Sequence, residues 1–311
     1  MNKLTVSSSP HIHTSNSTQR IMLDVIIALL PTAVAGTVIF GLGSLLVMGV
    51  CVATAILSEF LFNIIVKKEQ TVSDLSAIVT GLILALNLRA DTPWWQCMLG
   101  TVFAIIVVKC LFGGLGCNFA NPAITGRIFM MMSFASAVGG GAVPSIVEVS
   151  SSATPLELIS GNKAGALPSL WDMLLGLRGG AIGEVCALAI LLGFAYLVYR
   201  KVIHFETPLI FVGTVFVLSL IITNDLTLSL YQVLSGGLLF GAVFMATDYV
   251  TTPITRTGKM VFAVGCGLIT VLIRFFGSYP EGVSFAILLM NILSPYIEKW
   301  TAKRPLGGKK A

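Results

Sequence analysis

The sequence predicts an all-α polytopic membrane protein of about ten transmembrane helices in two inverted five-helix repeats. Three observations lead there: the composition, the recurrence of apolar runs at helix length, and an ordered repetition of sparse polar residues. Of the 311 residues 56% are apolar and 11% charged, with a mean hydropathy of +0.93, whereas soluble domains carry charge on roughly a quarter of their residues. Apolar runs recur from residue 21 to residue 298, which leaves no room for a sizeable soluble domain. The net charge of +5 comes from basic residues placed between apolar runs, without interleaved aromatics. That excludes nucleic acid as a partner and points to anionic lipid headgroups.

Residues 1–20 form a polar tail without an apolar core and small-residue cleavage site, so no removable signal peptide is expected. His11 and His13 in this tail lack a third ligand and are expected to be solvated. A helix needs about 20 apolar residues to cross about 30 Å of hydrocarbon. The first repeat, 21–138, offers runs at 21–42, 44–66, 73–88, 95–112 and 119–138; the second, 179–298, offers 179–199, 207–223, 229–247, 258–276 and 282–298. The third run is short and ends at Asn87, and the eighth carries Ser235-Gly236-Gly237, so both are expected to be interrupted or partly re-entrant. Between the repeats lies one long loop, 139–178, and a basic tail, 299–311, closes the chain. Trp94 and Trp95 read as an interfacial aromatic belt. The six cysteines contain no C-x-x-C pair and read mainly as small hydrophobes. Cys110 and Cys117 flank a glycine-rich turn but supply only half of the thiolates that an iron–sulfur cluster usually takes.

Orientation follows from Lys and Arg. With the N-terminus in the cytoplasm, thirteen of the nineteen lie inside, only Arg89, Lys163 and Arg178 lie outside, and Lys109, Arg127 and Arg274 fall within or at the ends of spans. Both termini are then cytoplasmic and the 139–178 loop faces outward. The halves match in order: Asp24-Val25 with Glu184-Val185, Thr80-Gly81-Leu82 with Ser235-Gly236-Gly237, Asp91 with Asp248, and Gly100 through Lys109 with Gly265 through Arg274. Five spans per copy, an odd number, place the second copy upside down relative to the first, which is a transporter and channel architecture.

Three segments carry a family resemblance: the opening SPHIHTSNSTQRIMLDVIIALLPTAVAG, the turn GGLGCNFANPAITGR and the loop segment EVSSSATPLE. Over essentially its whole length the chain resembles the D subunit of the Rnf ion-translocating ferredoxin:NAD oxidoreductase and its paralogue, the B subunit of the sodium-pumping NADH:quinone reductase. The short polar N-terminal segment favours the Rnf side of that pair. In the family a motif D-x-x-[ST]-G-A-T carries FMN through a phosphoester on its last threonine, which the resemblance places at Thr154; here Glu148 stands at the acidic position and Ser152 at the glycine. From the residues alone, Thr154 before Pro155 also reads as the cap of a short helix.

The resemblance further implies a second, non-covalent flavin (riboflavin or FMN), a flavin transferase for maturation, and partners in the other Rnf subunits: the G flavoprotein, the A and E membrane proteins and the B and C peripheral proteins. It implies a multi-pass protein of a bacterial cytoplasmic (inner) membrane, active only within a translocase-type oxidoreductase that couples electron transfer to Na⁺ or H⁺ movement. Charges inside spans are costly and default to function. Asp24, Glu59 and Glu184 are ion-pathway candidates, while Asp24, Asp74, Glu184 and Arg274, close to predicted ends, are expected to snorkel to the interface. Arg127, deep and just after Asn121-Pro122, is expected to meet the second flavin or to pair with Glu59 or a neighbour. A different class stays open: the five-plus-five pattern resembles ammonium and urea channels, so a channel or carrier for a small polar solute is the alternative, and the Thr154 loop discriminates the two.

Overall fold

The computed structural model describes residues 17–135, 142, 144, 154–159, 167–277 and 281–302. His11, His13, Lys163 and residues 148–153 of the loop motif lie outside them. Among the described residues regular structure is helical, with one isolated bridge between Ala142 and Gly180.

Helix α1, Thr18–Phe40, starts where the Ser17 side chain accepts from the Arg20 amide and stops at Gly41, whose φ of 75° a side chain would resist. Helix α2 is Leu42–Val66. Helix α3, Ser76–Leu86, has only 11 residues, about 16 Å of rise and half a bilayer crossing. Helix α4, Trp94–Cys110, turns π-helical from Phe103 onward. Helix α5, Pro122–Ser133, begins with Pro in its first turn and with Asn121 accepting from the amides of Ala123 and Ile124. Two short helices follow, α6 at Pro155–Ile159 and α7 at Leu170–Leu175.

The remaining helices are α8 (Ala187–Tyr199), α9 (Glu206–Thr223), α10 (Leu226–Leu234), α11 (Leu238–Met245), α12 (Arg256–Phe276) and α13 (Val283–Thr301). Among the described residues four helices, α1, α2, α9 and α12, are long and apolar enough to cross a membrane, and the α10–α11 pair makes a fifth if its 61° bend is one broken span. In each of these four, no more than 39% of the most apolar window is buried inside the chain. Leu42, Ile65, Ile221 and Phe276, each more than 70% exposed, therefore need lipid or another protein around them.

The break expected at Ser235-Gly236-Gly237 is present, and the short third run is a half-length helix. The sixth run needs correction: residues 180–186 are irregular, and helix begins only at Ala187. This irregular strip is held by α3. The amides of Ile182 and Gly183 donate to the carbonyls of Leu88 and Leu86, satisfying groups that the end of α3 would otherwise leave orphaned.

A close glycine–methionine contact between neighbouring helices occurs in each half. A Cβ at Gly100 in α4 would stand 2.6 Å from Met130 Sδ in α5, and one at Gly265 in α12 would stand 2.7 Å from Met290 Sδ in α13.

Candidate functional site

The α10–α11 break leaves backbone groups without helical partners, and inside a bilayer each must be met by protein. Buried arginines meet the carbonyls. Arg274 donates from Nη1 to Gln232 O at 2.5 Å and from Nη2 to Ser235 O at 3.1 Å. Arg178 donates from Nη2 to Leu234 O at 2.8 Å and to Glu184 O at 2.9 Å. On the other side of the break, the Gly237 amide donates to Glu281 Oε1 at 3.1 Å.

Arg127, 2% exposed, lies beside this clasp. Its Nη2 donates to Glu184 Oε1 at 2.7 Å and to Glu281 Oε2 at 2.5 Å, and its Nη1 to Asn87 Oδ1 at 2.5 Å. The end of α3, the irregular strip, α5, the break and the start of α13 thus meet at one guanidinium. An ionised group at depth survives only when paired and hydrogen-bonded, and two carboxylates plus an amide oxygen meet that need. The expected Arg127–Glu59 pair is not formed, because Glu59 is committed elsewhere. Glu184 and Arg274 do not snorkel either: both are less than 10% exposed and held by the break.

Thr154 stands at the start of α6. Its Oγ1 accepts from the Glu157 amide at 3.3 Å while its own amide donates to Glu157 Oε2 at 2.9 Å, a reciprocal cap on α6. The capping expectation holds, and the residue remains half-buried. Leu156, two residues on, is buried against the break: its Cδ1 lies 2.6 Å from where a Cβ on Gly236 would stand. Gly236 has φ 64°, a conformation glycine adopts without steric cost.

A second polar network lies at the opposite ends of the helices. Lys109 Nζ donates to Glu59 Oε2 at 2.7 Å and to Ser76 Oγ at 2.6 Å, and Thr71 Oγ1 donates to Glu59 Oε1 at 2.6 Å. Lys109 and Glu59 are each 2% exposed. Lys109, Ser76, Thr80, Asn121, Phe244 and Asp248 line a partly open cavity between the two halves of the chain. Asp248, in the turn beyond α11, accepts from Asn121 Nδ2 at 3.3 Å and from Thr251 Oγ1 at 3.2 Å, and burial raises its carboxyl above the ordinary value. Arg127 does not line this cavity.

Asp24 is also buried; it accepts from Tyr196 Oη at 2.9 Å and pairs with Arg200 at 3.2 Å, so it too is held by protein and does not snorkel. Asp74 caps the start of α3, accepting from the Ser76 amide at 2.8 Å. Cys110 is buried and Cys117 exposed.

Sequence reasoning missed Glu281 and the clasping roles of Arg178 and Arg274. The available signal was the Ser-Gly-Gly interruption itself: a break at depth demands charged side chains near it, and these three lie at helix ends or in loops close to it in space.

A protein-family model described as the NQR2, RnfD, RnfE family matches residues 5–307. The D subunit of the Na⁺-translocating ferredoxin:NAD⁺ oxidoreductase complex of Acetobacterium woodii is 44% identical over 309 residues, covering 99% of this chain and 96% of the relative. The D subunit of the proton-translocating ferredoxin:NAD⁺ oxidoreductase complex of Clostridium ljungdahlii is 37% identical, covering 99% and 98%. The D subunit of an ion-translocating oxidoreductase complex of Escherichia coli is 33% identical, covering 98% and 99%. With nearly the whole chain matched, it belongs to the NQR2, RnfD, RnfE family.

Proposed function

We propose that this chain is the D subunit of an Rnf-type ferredoxin:NAD oxidoreductase, a membrane redox protein that carries FMN on Thr154 and relays electrons in a complex that moves Na⁺ or H⁺. The observation that carries the reading is the half-buried Thr154 at the start of a helix seated on the broken α10–α11 span. Full-length similarity to the D subunits of such complexes supports it.

Thr154 fits a phosphoester. Esterification removes the hydroxyl proton, which makes no bond among the described residues, and leaves the oxygen able to accept from the Glu157 amide. Bound FMN supplies one- and two-electron redox chemistry. The chain's own contribution is to hold that attachment point: Leu156 anchors α6 on Gly236, and Arg127, Arg178 and Arg274 keep the break beneath it rigid. The second, non-covalent flavin is assigned to the cavity between the two halves, where Lys109 and Asn121 offer donors among apolar walls. Arg127, whose Nη donors are committed to Glu184, Glu281 and Asn87, positions the break instead of touching that flavin. The buried Glu59–Lys109 pair between that cavity and Thr71 keeps Glu59 as an ion-pathway candidate.

We read the architecture as ten spans in two inverted repeats, with both termini cytoplasmic and Thr154 outside. The paired contacts Gly100–Met130 and Gly265–Met290 support the repeat, and the distribution of thirteen basic residues against three supports the orientation.

The test is in-gel flavin fluorescence of the denatured chain, expressed with a flavin transferase. The parent chain fluoresces, Thr154→Ala inserts but does not, and peptide mass spectrometry finds the FMN adduct on the segment holding Thr154. A Thr154→Ala chain as fluorescent as the parent overturns the assignment.

A further inference from the structure

We propose that two adjoining clefts at the ends of α1, α8, α9 and α12 bind a phospholipid bearing two phosphates, of the diphosphatidylglycerol kind, one phosphate in each cleft. The first is lined by Arg20, Asp24, Arg200, Lys201 and Tyr249 among others. The second is lined by Lys201, His204, Thr207, Tyr249, Thr252 and Lys259 among others. They share a wall of Lys201, Val202 and Tyr249, pinned by a hydrogen bond from the Tyr249 hydroxyl to the Val202 carbonyl.

The charge balance selects an anion. The Asp24 carboxylate in the first cleft is taken by Arg200 and Tyr196, and Glu206, beside the second, is taken by Arg256. Neither Lys201 nor Lys259 forms a salt bridge among the described residues, and Glu206, whose field reaches Lys259, is itself bridged to Arg256. Lys201 holds φ 56° just past the end of α8, a position that helices usually fill with Gly or Asn. A lysine there gives up backbone ease for a cation on the wall common to both clefts.

The surroundings select a lipid as the source of the phosphates. Tyr199, next to Arg200, and Phe205, next to His204, are exposed at 84% and 52%, and exposed aromatic side chains mark headgroup depth. Basic pockets between spans on the cytoplasmic side suit anionic headgroups, and by the orientation proposed above this is that side. Lipid binding by the protein in detergent is measured without reference to orientation or flavin, so failure here is separate from failure of the functional reading.

The purified complex in detergent is titrated with diphosphatidylglycerol, phosphatidylglycerol and phosphatidylcholine, and bound lipid is counted by native mass spectrometry. Diphosphatidylglycerol should bind tightest and phosphatidylcholine weakest. Lys201→Asn combined with Lys259→Gln should weaken diphosphatidylglycerol about thirtyfold, the loss expected for two cations at an anionic surface, whereas Lys67→Gln with Lys68→Gln should change nothing. Asn suits the left-handed backbone at 201; if the double variant fails to assemble, Lys259→Gln alone should still weaken binding about fivefold. Equal binding of the one- and two-phosphate lipids, or unchanged binding in the cleft variants, would overturn the proposal. Displacement by millimolar inorganic phosphate as effective as displacement by lipid would identify a free-phosphate site and overturn the lipid assignment.

Discussion

Leu156 presses on Gly236: its Cδ1 occupies space 2.6 Å from the Cβ that glycine lacks. Through this contact the segment beginning at Thr154 rests on the 61° bend between α10 and α11. Gly236→Ala therefore meets two obstacles, a left-handed φ costing about 1 kcal/mol and a collision with Leu156. The expected result is a lower melting temperature of the purified complex and faster proteolysis near α6, with partial relief when Leu156→Ala is added. An unaltered protease pattern in Gly236→Ala would remove the contact from the account.

Arg127 and its carboxylates give a double-mutant cycle with a definite partner. Removing one side of a buried pair costs about 3–5 kcal/mol, because the other charge is left uncompensated. Arg127→Gln should be strongly destabilising, and adding Glu281→Gln should return part of the loss, since the pair lies at 2.5 Å. Glu59→Gln should show such coupling with Lys109→Gln, across 2.7 Å, and none with Arg127→Gln. Thermal unfolding in detergent measures both cycles, and coupling between Arg127 and Glu59 would contradict the geometry.

The repeat reading predicts matched injuries. At both Gly100 and Gly265 an added methyl runs into a methionine sulfur, so Gly100→Ala and Gly265→Ala should each destabilise by about 1–3 kcal/mol. Met130→Ala should rescue only the first and Met290→Ala only the second. Thermal shift of the four single and four double variants reads the pattern, and cross-rescue would break the correspondence.

Topology is read with single cysteines in a cysteine-free background. Trp171, 74% exposed before the second half of the chain, should label from outside when replaced by Cys. A cysteine replacing Lys299, exposed near the end of α13, should label only after the membrane is opened. The reverse pattern with an impermeant maleimide would invert the orientation.

Class, length scale and punctuation were legible in the sequence. Apolar runs named the membrane, because hydropathy over about 20 residues is a local property, and Ser235-Gly236-Gly237 and Asn87 marked the interruptions, because backbone breaks need residues that tolerate them. Thr154 before Pro155 was legible as a cap for the same local reason. The charge pairing was not. Arg127 reaches Glu281, 154 positions away, and Glu59 reaches Lys109, 50 positions away, so the sequence required that each buried charge have a partner without saying which. Depth was misjudged as well: Asp24, Glu184 and Arg274 lie near helix ends, where snorkelling is the cheap local solution, yet neighbouring elements bury each of them. The amides and carbonyls released at the α10–α11 break can be satisfied only by side chains that other helices and loops deliver, and that delivery is a property of the packed chain alone.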